Sequence, residues 1–399
     1  MGTVLVTWEL GAGLGHLVRL LPIVQGLTQR GHCVYAAIRD LAAGQSVFRT
    51  GLVSVLQAPI QVRLSAGQIE KPFTFAHILH NFGFSDERDL AGRLEAWSEL
   101  YRLIKPDLIL FDHSPTALLA ARGLPVRKAL IGSGFFCPPD VYPMPNLRQW
   151  LKPDREQLRR DEDGVLAGMN RLLRLRHQLP LERITQLYAE VDENFLVTFA
   201  ELDHYPNRKA ARYWGAWTKI SGKPPEWPKG TGPRIYAYFK QFEGLEATLK
   251  LLTDLAGAVL IYSDGIHPAV QNRFASEKLR FENSPLDLDE VGRTCDLAIL
   301  NGNHGTTISL LMKGRPILQL PISLEQTLVS MAVEKMGAAL GADIKRPAHV
   351  ERRLREMLNS TRFAAAARQF ADRYTGFNAD HQAQLVVQRL EQLISGDLK

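Results

Sequence analysis

Short apolar runs alternate with segments of helical periodicity along most of the chain. The run Thr3–Trp8 is apolar at nearly every position, as expected of a parallel strand covered on both faces. Residues 16–30 repeat leucine and valine at helical spacing and end at Gly31, and residues 32–38 form the next apolar run. This order predicts a right-handed strand–helix–strand unit whose ligand end is the Gly-rich turn after the first strand.

The same alternation continues through both halves of the chain. Further strands are predicted at 53–56, 107–111, 127–131, 195–198, 234–239, 258–262, 279–282, 297–300 and 317–320. Helices are predicted at 89–104, 116–122, within 155–192, at 245–255, at 307–312 and over 363–393 with a break near Gly376. Between the halves, residues 221–233 are dense in Pro and Gly, as a linker would be.

Two similar halves predict the architecture. We expect an α/β chain with two facing, doubly wound Rossmann-like domains and a cleft between them. The predicted domains are 1–217 and 234–375, joined by a linker at 218–233. The last segment, 376–399, is predicted to be a helix that packs back on the first domain. A length of 399 residues suits two domains of about 200 residues each.

Composition and charge narrow the functional classes. The net charge of +6 is spread along the chain, with one local cluster at Arg171, Arg174 and Arg176. This distribution fits an anionic ligand or a peripheral contact with an anionic membrane surface, and equally a basic protein with no polyanionic partner. No nucleic-acid-binding signature is present, so no nucleic-acid partner is expected, and no oligomeric state is assigned.

The cysteines and the chain start indicate a compartment. Cys33, Cys137 and Cys295 are isolated, which argues against structural zinc and a disulfide framework and fits a reducing environment. Residues 3–8 resemble a buried strand rather than a leader, and no apolar run reaches the roughly 20 residues that cross a bilayer. We therefore expect a cytoplasmic protein.

Candidate chemistry first appears at the turn after the first strand. Gly13-Leu14-Gly15-His16 places an imidazole at the start of a helix, where the positive helix end favours the neutral ring that can accept a proton. Asp112 ends a predicted strand at the same sheet edge and could fix the His16 tautomer. A helix-capping histidine and a turn aspartate are the structural alternatives. His113 follows directly, but the next residue on a turn usually points elsewhere.

A second candidate lies in the other half of the chain. The series from Asn301 to Thr307 joins a strand to a helix, and backbone N–H groups at such a turn suit a diphosphate without a metal. A tight turn with a threonine cap is the alternative. The polar residues predicted to bind this ligand are Lys240, Ser263, Asn301, Gly302, Asn303, His304, Gly305, Thr306, Glu325 and Gln326.

These motifs resemble the UDP-dependent glycosyltransferases of family 1, in their bacterial macrolide- and flavonoid-type branch, which have the GT-B architecture. Gly15-His16 with Pro22, and Asp112 before the helix that ends at Gly123, match the family's first-domain elements. The donor motif departs from the family's pattern at several positions. Asn301 stands where the family has a histidine, Asn303 replaces a glycine, Glu325 replaces an aspartate, and Asn283 stands where many members stack a tryptophan on uracil.

The resemblance implies an inverting, metal-independent transfer of a sugar from a nucleotide donor, UDP-linked by analogy. His16 would be the base, assisted by Asp112, and the acceptor would be a small, apolar or lipid-like molecule with a hydroxyl. Phe82, Phe135 and Phe136 are predicted to contact this acceptor. No cofactor beyond the nucleotide sugar and no metal are expected.

Two alternatives remain open. The series Gly13-x-Gly15-His16-x-x-Arg19 with Asp112-His113 is also similar to a nucleotide-sugar hydrolase of the same architecture, in which the histidine would activate water. The altered donor motif is also compatible with a catalytically silent homologue that only binds a nucleotide or another ligand.

Overall fold

The computed structural model describes residues 1–48, 51–64, 67–205, 208–217, 222–255 and 257–396. The chain divides into two compact units. Unit 1 comprises Met1–Phe199, Tyr205–Trp217 and Ala379–Lys399. Unit 2 comprises Ala200–His204 and Thr218–Asn378.

Unit 1 contains a six-stranded parallel sheet in the order β3-β2-β1-β4-β5-β6. Its strands are β1 (Thr3–Trp8), β2 (Cys33–Ile38), β3 (Ser54–Gln57), β4 (Leu108–Asp112), β5 (Arg127–Gly132) and β6 (Glu193–Leu196). Its helices are α1 (Gly15–Gln29), α2 (Leu41–Val47), α3 (Phe75–Leu79), α4 (Glu87–Ile104), α5 (Pro115–Ala120), α6 (Arg155–Leu175) and α7 (Gln186–Ala189).

Apolar periodicity accounts for the elements next to the candidate site. Every residue of β4 is buried, as expected of a central parallel strand. In α1, Leu17, Leu20 and Val24 lie on one face and are fully buried. The helix ends before Gly31, whose φ of +85° is a left-handed conformation that glycine adopts without steric cost.

Unit 2 repeats this topology with the order β12-β11-β10-β7-β8-β9, again all parallel. Its strands are β7 (Arg234–Lys240), β8 (Ala258–Asp264), β9 (Leu279–Glu282), β10 (Leu297–Leu300), β11 (Ile317–Gln319) and β12 (Ala339–Gly341). Its helices are α8 (Leu245–Leu255), α9 (Pro268–Phe274), α10 (Leu288–Thr294), α11 (His304–Leu311), α12 (Leu324–Lys335), α13 (Pro347–Leu358) and α14 (Arg362–Arg373).

The last helix, α15 (Ala379–Ser395), belongs to unit 1 although it follows unit 2 in the chain. It packs on α1, where Gly26 admits Val387 so closely that an added β-carbon would lie 2.8 Å from the valine side chain. Glu391 pairs with Arg30 and with His32, and Arg389 pairs with Glu193 at 2.7 Å.

Strand order reverses between β1 and β4 in one sheet and between β7 and β10 in the other. In open parallel sheets, ligands bind outside the carboxyl ends of the strands at this switch point. The predicted α/β class with two doubly wound parallel sheets is confirmed. Of the predicted linker, residues 218–221 lie outside the described residues, and 222–233 have neither helix nor strand beyond one bridge at Lys223.

Several elements differ from the sequence-based prediction. The structure adds β12 and the helices α2, α3, α9, α10, α12 and α13. Most of these are short, so they offer too few turns for a periodic pattern to stand out. The helical stretch predicted at 155–192 is mostly α6, and the stretch predicted at 363–393 is two helices.

Candidate functional site

In unit 1 the turn between β1 and α1 presents His16. Gly11 and Gly13 have φ of +88° and +85°, conformations that residues with side chains rarely adopt. They let the chain reverse sharply at the switch point, and α1 then begins at Gly15. His16 is therefore the second residue of the helix, at its positive end.

Asp112, the last residue of β4, holds the His16 ring. Its side chain is fully buried, and its Oδ1 lies 2.9 Å from Nδ1 of His16. Nη1 of Arg19, one turn further along α1, donates to both Asp112 oxygens at 3.1 Å. A buried carboxylate needs partners of this kind, and His16 and Arg19 together compensate for the burial of Asp112.

The other ring nitrogen of His16 is not bound to Asp112. With Nδ1–H donating to Asp112, Nε2 carries the lone pair, and it has no hydrogen-bond partner among the described residues. The ring stacks on Trp8 at a centroid distance of 5.2 Å and is tilted against Phe136 at 5.1 Å. His16 and Asp112 thus have the relative arrangement expected of a base and of the carboxylate that orients it.

Gly11 lies directly beside Nε2 of His16, where a side chain would not fit. A β-carbon at Gly11 would lie 2.6 Å from Nε2 of His16, closer than real contacts allow. Arg39 fixes this turn by donating from Nη1 to the Gly11 carbonyl oxygen at 2.6 Å. The glycine is therefore required both by its backbone conformation and by the neighbouring imidazole.

His113, expected to point elsewhere, lies in the same cluster. It has φ of +46°, which turns its ring back toward His16 at a centroid distance of 6.1 Å. The ring stacks on Phe136 at 3.9 Å. Burial is the main cause that lowers the pKa of His113 well below its ordinary value, and the charges of Arg39 and Arg19 add to it, so the ring is neutral.

Glu9 is a buried residue that the sequence analysis did not single out. Its carboxyl accepts hydrogen bonds from the backbone N–H groups of Thr116 and Ala117 at 2.5 and 3.2 Å, and from Nε1 of Trp97 at 3.0 Å. It thereby joins the end of β1 to the start of α5. Burial raises the pKa of Glu9 to about 7, although these hydrogen bonds and Arg93 oppose the shift.

The three phenylalanines predicted to contact an acceptor are placed differently. Phe136 lies directly on the histidine rings, and Phe135 packs edge-on against it at 5.4 Å. Phe82 lies instead in the bend His80–Phe84 after α3, where its carbonyl oxygen accepts a bond from Arg93. Phe75 and Tyr188 extend the aromatic cluster.

A second His–Asp pair in unit 1 differs from the first. Nε2 of His77 lies 3.0 Å from Oδ2 of Asp161, and Nδ1 accepts from the backbone N–H of Phe73 at 3.2 Å. Both ring nitrogens are therefore committed, and the pair joins α3 to α6. Burial lowers the pKa of His77 despite the facing carboxylate. This pair is structural in its geometry.

In unit 2 the buried side chain of Asn301 shapes the turn between β10 and α11. Its Nδ2 donates to the Leu320 carbonyl oxygen at 2.9 Å, and its Oδ1 accepts from the Lys240 backbone N–H at 3.1 Å. These bonds connect the ends of three neighbouring strands. Because Asn301 is fully buried, its side chain holds the turn from behind rather than facing a ligand.

The turn itself approaches α12 closely. Gly302 has φ of +81°, and a β-carbon there would lie 2.8 Å from Cβ and from the carbonyl oxygen of Gln326. Asn303 precedes α11 without capping it, so the N–H groups of the first turn, from His304 to Thr306, receive no side-chain cap from it. The His304 ring lies 5.9 Å from that of His204, within the same unit.

The remaining predicted residues surround this sheet edge. Nζ of Lys240 lies 3.4 Å from Oδ2 of Asp264, and Ser263 accepts from Nε2 of Gln271 at 3.1 Å. Gln326 folds back so that its Oε1 accepts from the Ile322 N–H at 2.8 Å. Glu325 is in the first turn of α12, one residue before Gln326.

The described ranges of the chain contain neither a set of metal ligands nor a helix suited to span a bilayer. No group of three or more His, Cys, Asp or Glu side chains comes together there as a metal-ligand set. No helix in those ranges combines the length and apolar character needed to span a bilayer.

Comparison with known proteins relates this geometry to a fold. No family model and no curated protein matches the sequence. The glycosyltransferase VinC, solved in complex with DTDP, is similar with a TM-score of 0.69 and 16% identity over 98% of this chain and 99% of that chain. The spinosyn rhamnosyltransferase SpnG, complexed with spinosyn aglycone, gives 0.69 and 17% over 98% and 100%.

A third solved structure agrees. The calicheamicin glycosyltransferase CalG4 has a TM-score of 0.71 and 15% identity, covering 99% of this chain and 98% of that chain. At these identities the likeness shows the fold: two Rossmann-like units of the GT-B class.

Proposed function

We propose that this protein is an inverting, metal-independent glycosyltransferase that moves a sugar from a nucleoside diphosphate to a hydroxyl of a small, apolar or lipid-like acceptor. The observation that carries the proposal is the His16–Asp112 pair. One nitrogen of the ring donates to a buried carboxylate, and the other faces a glycine and has no partner among the described residues.

The proposed reaction assigns one role to each group. Nε2 of His16 takes the proton of the acceptor hydroxyl as its oxygen attacks the anomeric carbon of the donor. The bond from that carbon to the diphosphate oxygen breaks on the opposite face, so the configuration inverts. Asp112 stabilises the imidazolium that forms, and Arg19 holds the Asp112 carboxylate in place by hydrogen bonds to both of its oxygens.

The donor is assigned to unit 2. The first-turn N–H groups of α11 can bind the diphosphate and stabilise the negative charge that develops on departure. Glu325, in the first turn of α12, is the candidate acceptor of sugar hydroxyl bonds. Lys240 balances the phosphate charge. VinC was solved with DTDP, so thymidine as well as uridine diphosphate sugars belong in the test.

The first experiment is a thermal-shift screen of uridine and thymidine diphosphates and their sugars, because a ligand of the native state raises apparent stability. Turnover is then measured for each stabilising donor with a panel of hydroxylated apolar acceptors. His16→Ala should lower kcat on the order of 10²- to 10⁴-fold. His77→Ala is the matched control, because it removes the other His–Asp pair and should leave kcat unchanged.

Three results would contradict the proposal. One is full turnover by a folded His16→Ala variant. Another is loss of the donor at the full rate without acceptor, which would make the chain a hydrolase. The third is nucleotide binding without turnover on any acceptor, which would make it a binding protein.

A further inference from the structure

Both ring nitrogens of His113 are buried and have no hydrogen-bond partner among the described residues. Buried polar atoms are nearly always paired, because leaving one unpaired forfeits its hydrogen bond to water. Here two such atoms belong to one residue that is 6% exposed, at the switch point of the sheet. An aromatic residue without nitrogens would fill the same space at lower cost. We therefore infer that the two nitrogens are retained for a function rather than for packing.

The backbone at His113 points to the same conclusion. A φ of +46° is uncommon for a residue with a side chain, and residues held in such conformations concentrate at functional sites. The conformation is fixed from outside the residue, because the His113 carbonyl oxygen accepts from the Leu10 N–H at 3.0 Å. This bond ties the end of β4 to the segment after β1 and directs the ring toward His16.

Gly11 shows where the nitrogens converge. The position of a β-carbon added to Gly11 is 2.6 Å from Nε2 of His16 and 3.3 Å from Nδ1 of His113. Both nitrogens thus face the space in front of one glycine, near enough to each other for a single oxygen atom to reach both. Trp8, Phe136 and Phe75 supply apolar ring surface around the pair.

We propose that His113 binds the acceptor, with its ring N–H donating to the same hydroxyl oxygen from which His16 removes the proton. This inference rests on the proposed function. The ligand chemistry that fits is a hydroxyl whose oxygen is shared by the two imidazoles, next to the aromatic side chains of this cluster. His113 stays neutral, so it can donate without competing for the proton. The ring nitrogens of His113 are already shielded from water before the acceptor binds, so binding does not have to remove water from them.

Two substitutions test this role by kinetics. His113→Phe keeps a ring to stack on Phe136 but removes both nitrogens, and should raise the acceptor KM roughly 5- to 30-fold with the donor KM unchanged. His113→Asn keeps a hydrogen-bonding amide and tolerates positive φ, and should keep the acceptor KM within about threefold. Equal acceptor KM for wild type and a folded His113→Phe variant would overturn the proposal.

A measurement on the unaltered protein does not depend on turnover or on either variant folding. Nitrogen NMR of ring-labelled histidine follows His113 and His16 during titration with phenol, and with toluene as the matched ring that lacks oxygen. Saturable shifts of both rings with phenol alone support the shared hydroxyl. A shift of His16 alone, of neither ring, or equally with toluene overturns it. If wild type transfers no sugar but the phenol shifts occur, the proposed function fails and the binding role of His113 stands.

Discussion

Asp112 accepts hydrogen bonds from two residues of one helix, and the pairing with His16 joins positions 96 apart in the sequence. Asp112→Asn keeps the size of the side chain but removes the charge that stabilises a protonated His16. We expect kcat to fall on the order of 10²- to 10⁴-fold with little change in either KM, because the charge acts mainly as the imidazolium forms. Steady-state kinetics with saturating donor measures this. Asp161→Asn, in the structural His–Asp pair, is the control. An Asp112→Asn enzyme with normal kcat would show that Asp112 only positions the ring.

Glu9 makes the free energy of unfolding depend on pH, and its raised pKa fixes the direction of that dependence. Its pKa is about 7 in the folded state against an ordinary 4.5, so the folded state holds the proton over this interval while the unfolded chain releases it. The stability that this proton contributes is complete below pH 4.5 and is lost as pH rises through 7, a change of about 3 kcal/mol. Glu9→Gln has no such titration. Urea unfolding between pH 4.5 and 8 should therefore show the wild type losing stability relative to the variant as pH rises, and a stability difference that stays constant with pH would refute the assignment.

Gly26 and Gly164 are helical glycines with opposite surroundings. An added methyl at Gly26 would lie 2.8 Å from Val387 of α15, whereas nothing lies within 4 Å of the same position at Gly164 in α6. Gly26→Ala should lower the unfolding free energy by about 1–3 kcal/mol, because overpacking outweighs the gain in helix propensity. Gly164→Ala should raise it by about 0.4–1 kcal/mol. Thermal or denaturant unfolding compares the two, and stabilisation by both would mean that α15 does not pack closely on α1.

Substitutions at Asn301 and His304 distinguish a residue that shapes the donor turn from a residue that contacts the ligand directly. Asn301→Ala leaves the Leu320 carbonyl and the Lys240 N–H without this partner, at about 1–3 kcal/mol for each group that stays unpaired. Its main effect should be on unfolding free energy. His304→Ala, at the start of α11, should change stability by less than about 1 kcal/mol and weaken nucleoside diphosphate binding roughly 5- to 30-fold. Calorimetric titration and urea unfolding of both variants test this, and the reverse pattern would assign Asn301 to the ligand.

The sequence was sufficient for many of the strands because most of them are short apolar runs bounded by turns. Thr3–Trp8, Leu279–Glu282 and Leu297–Leu300 have the predicted bounds. Helix α13 was missed although it had a local signal, with a proline at its first position and Val350, Leu354 and Met357 at helical spacing. The short helix α2 offered little apolar pattern, and its cap at Asp40 is recognisable only once the following turn is seen.

The site depended on information that no local pattern contains. The Gly-rich turn and Asp112 could be singled out from residue type and position on a strand end. The direction of the His113 ring could not, because it follows from a positive φ fixed by a hydrogen bond from Leu10, far away in the chain. Asn301 was predicted to bind a ligand from its place in a motif, whereas its burial between strand ends is a property of the assembled sheet.

The place of α15 in unit 1 has a consequence for synthesis. The ribosome makes the strands and helix α1 of unit 1 before unit 2, and makes helix α15, which packs on α1, only after unit 2. Until then the apolar face of α1 that surrounds Gly26 lacks its permanent cover, so the nascent chain carries an unfinished core through most of its translation. Removing α15 would therefore damage unit 1, although the rest of that unit precedes unit 2 in the chain.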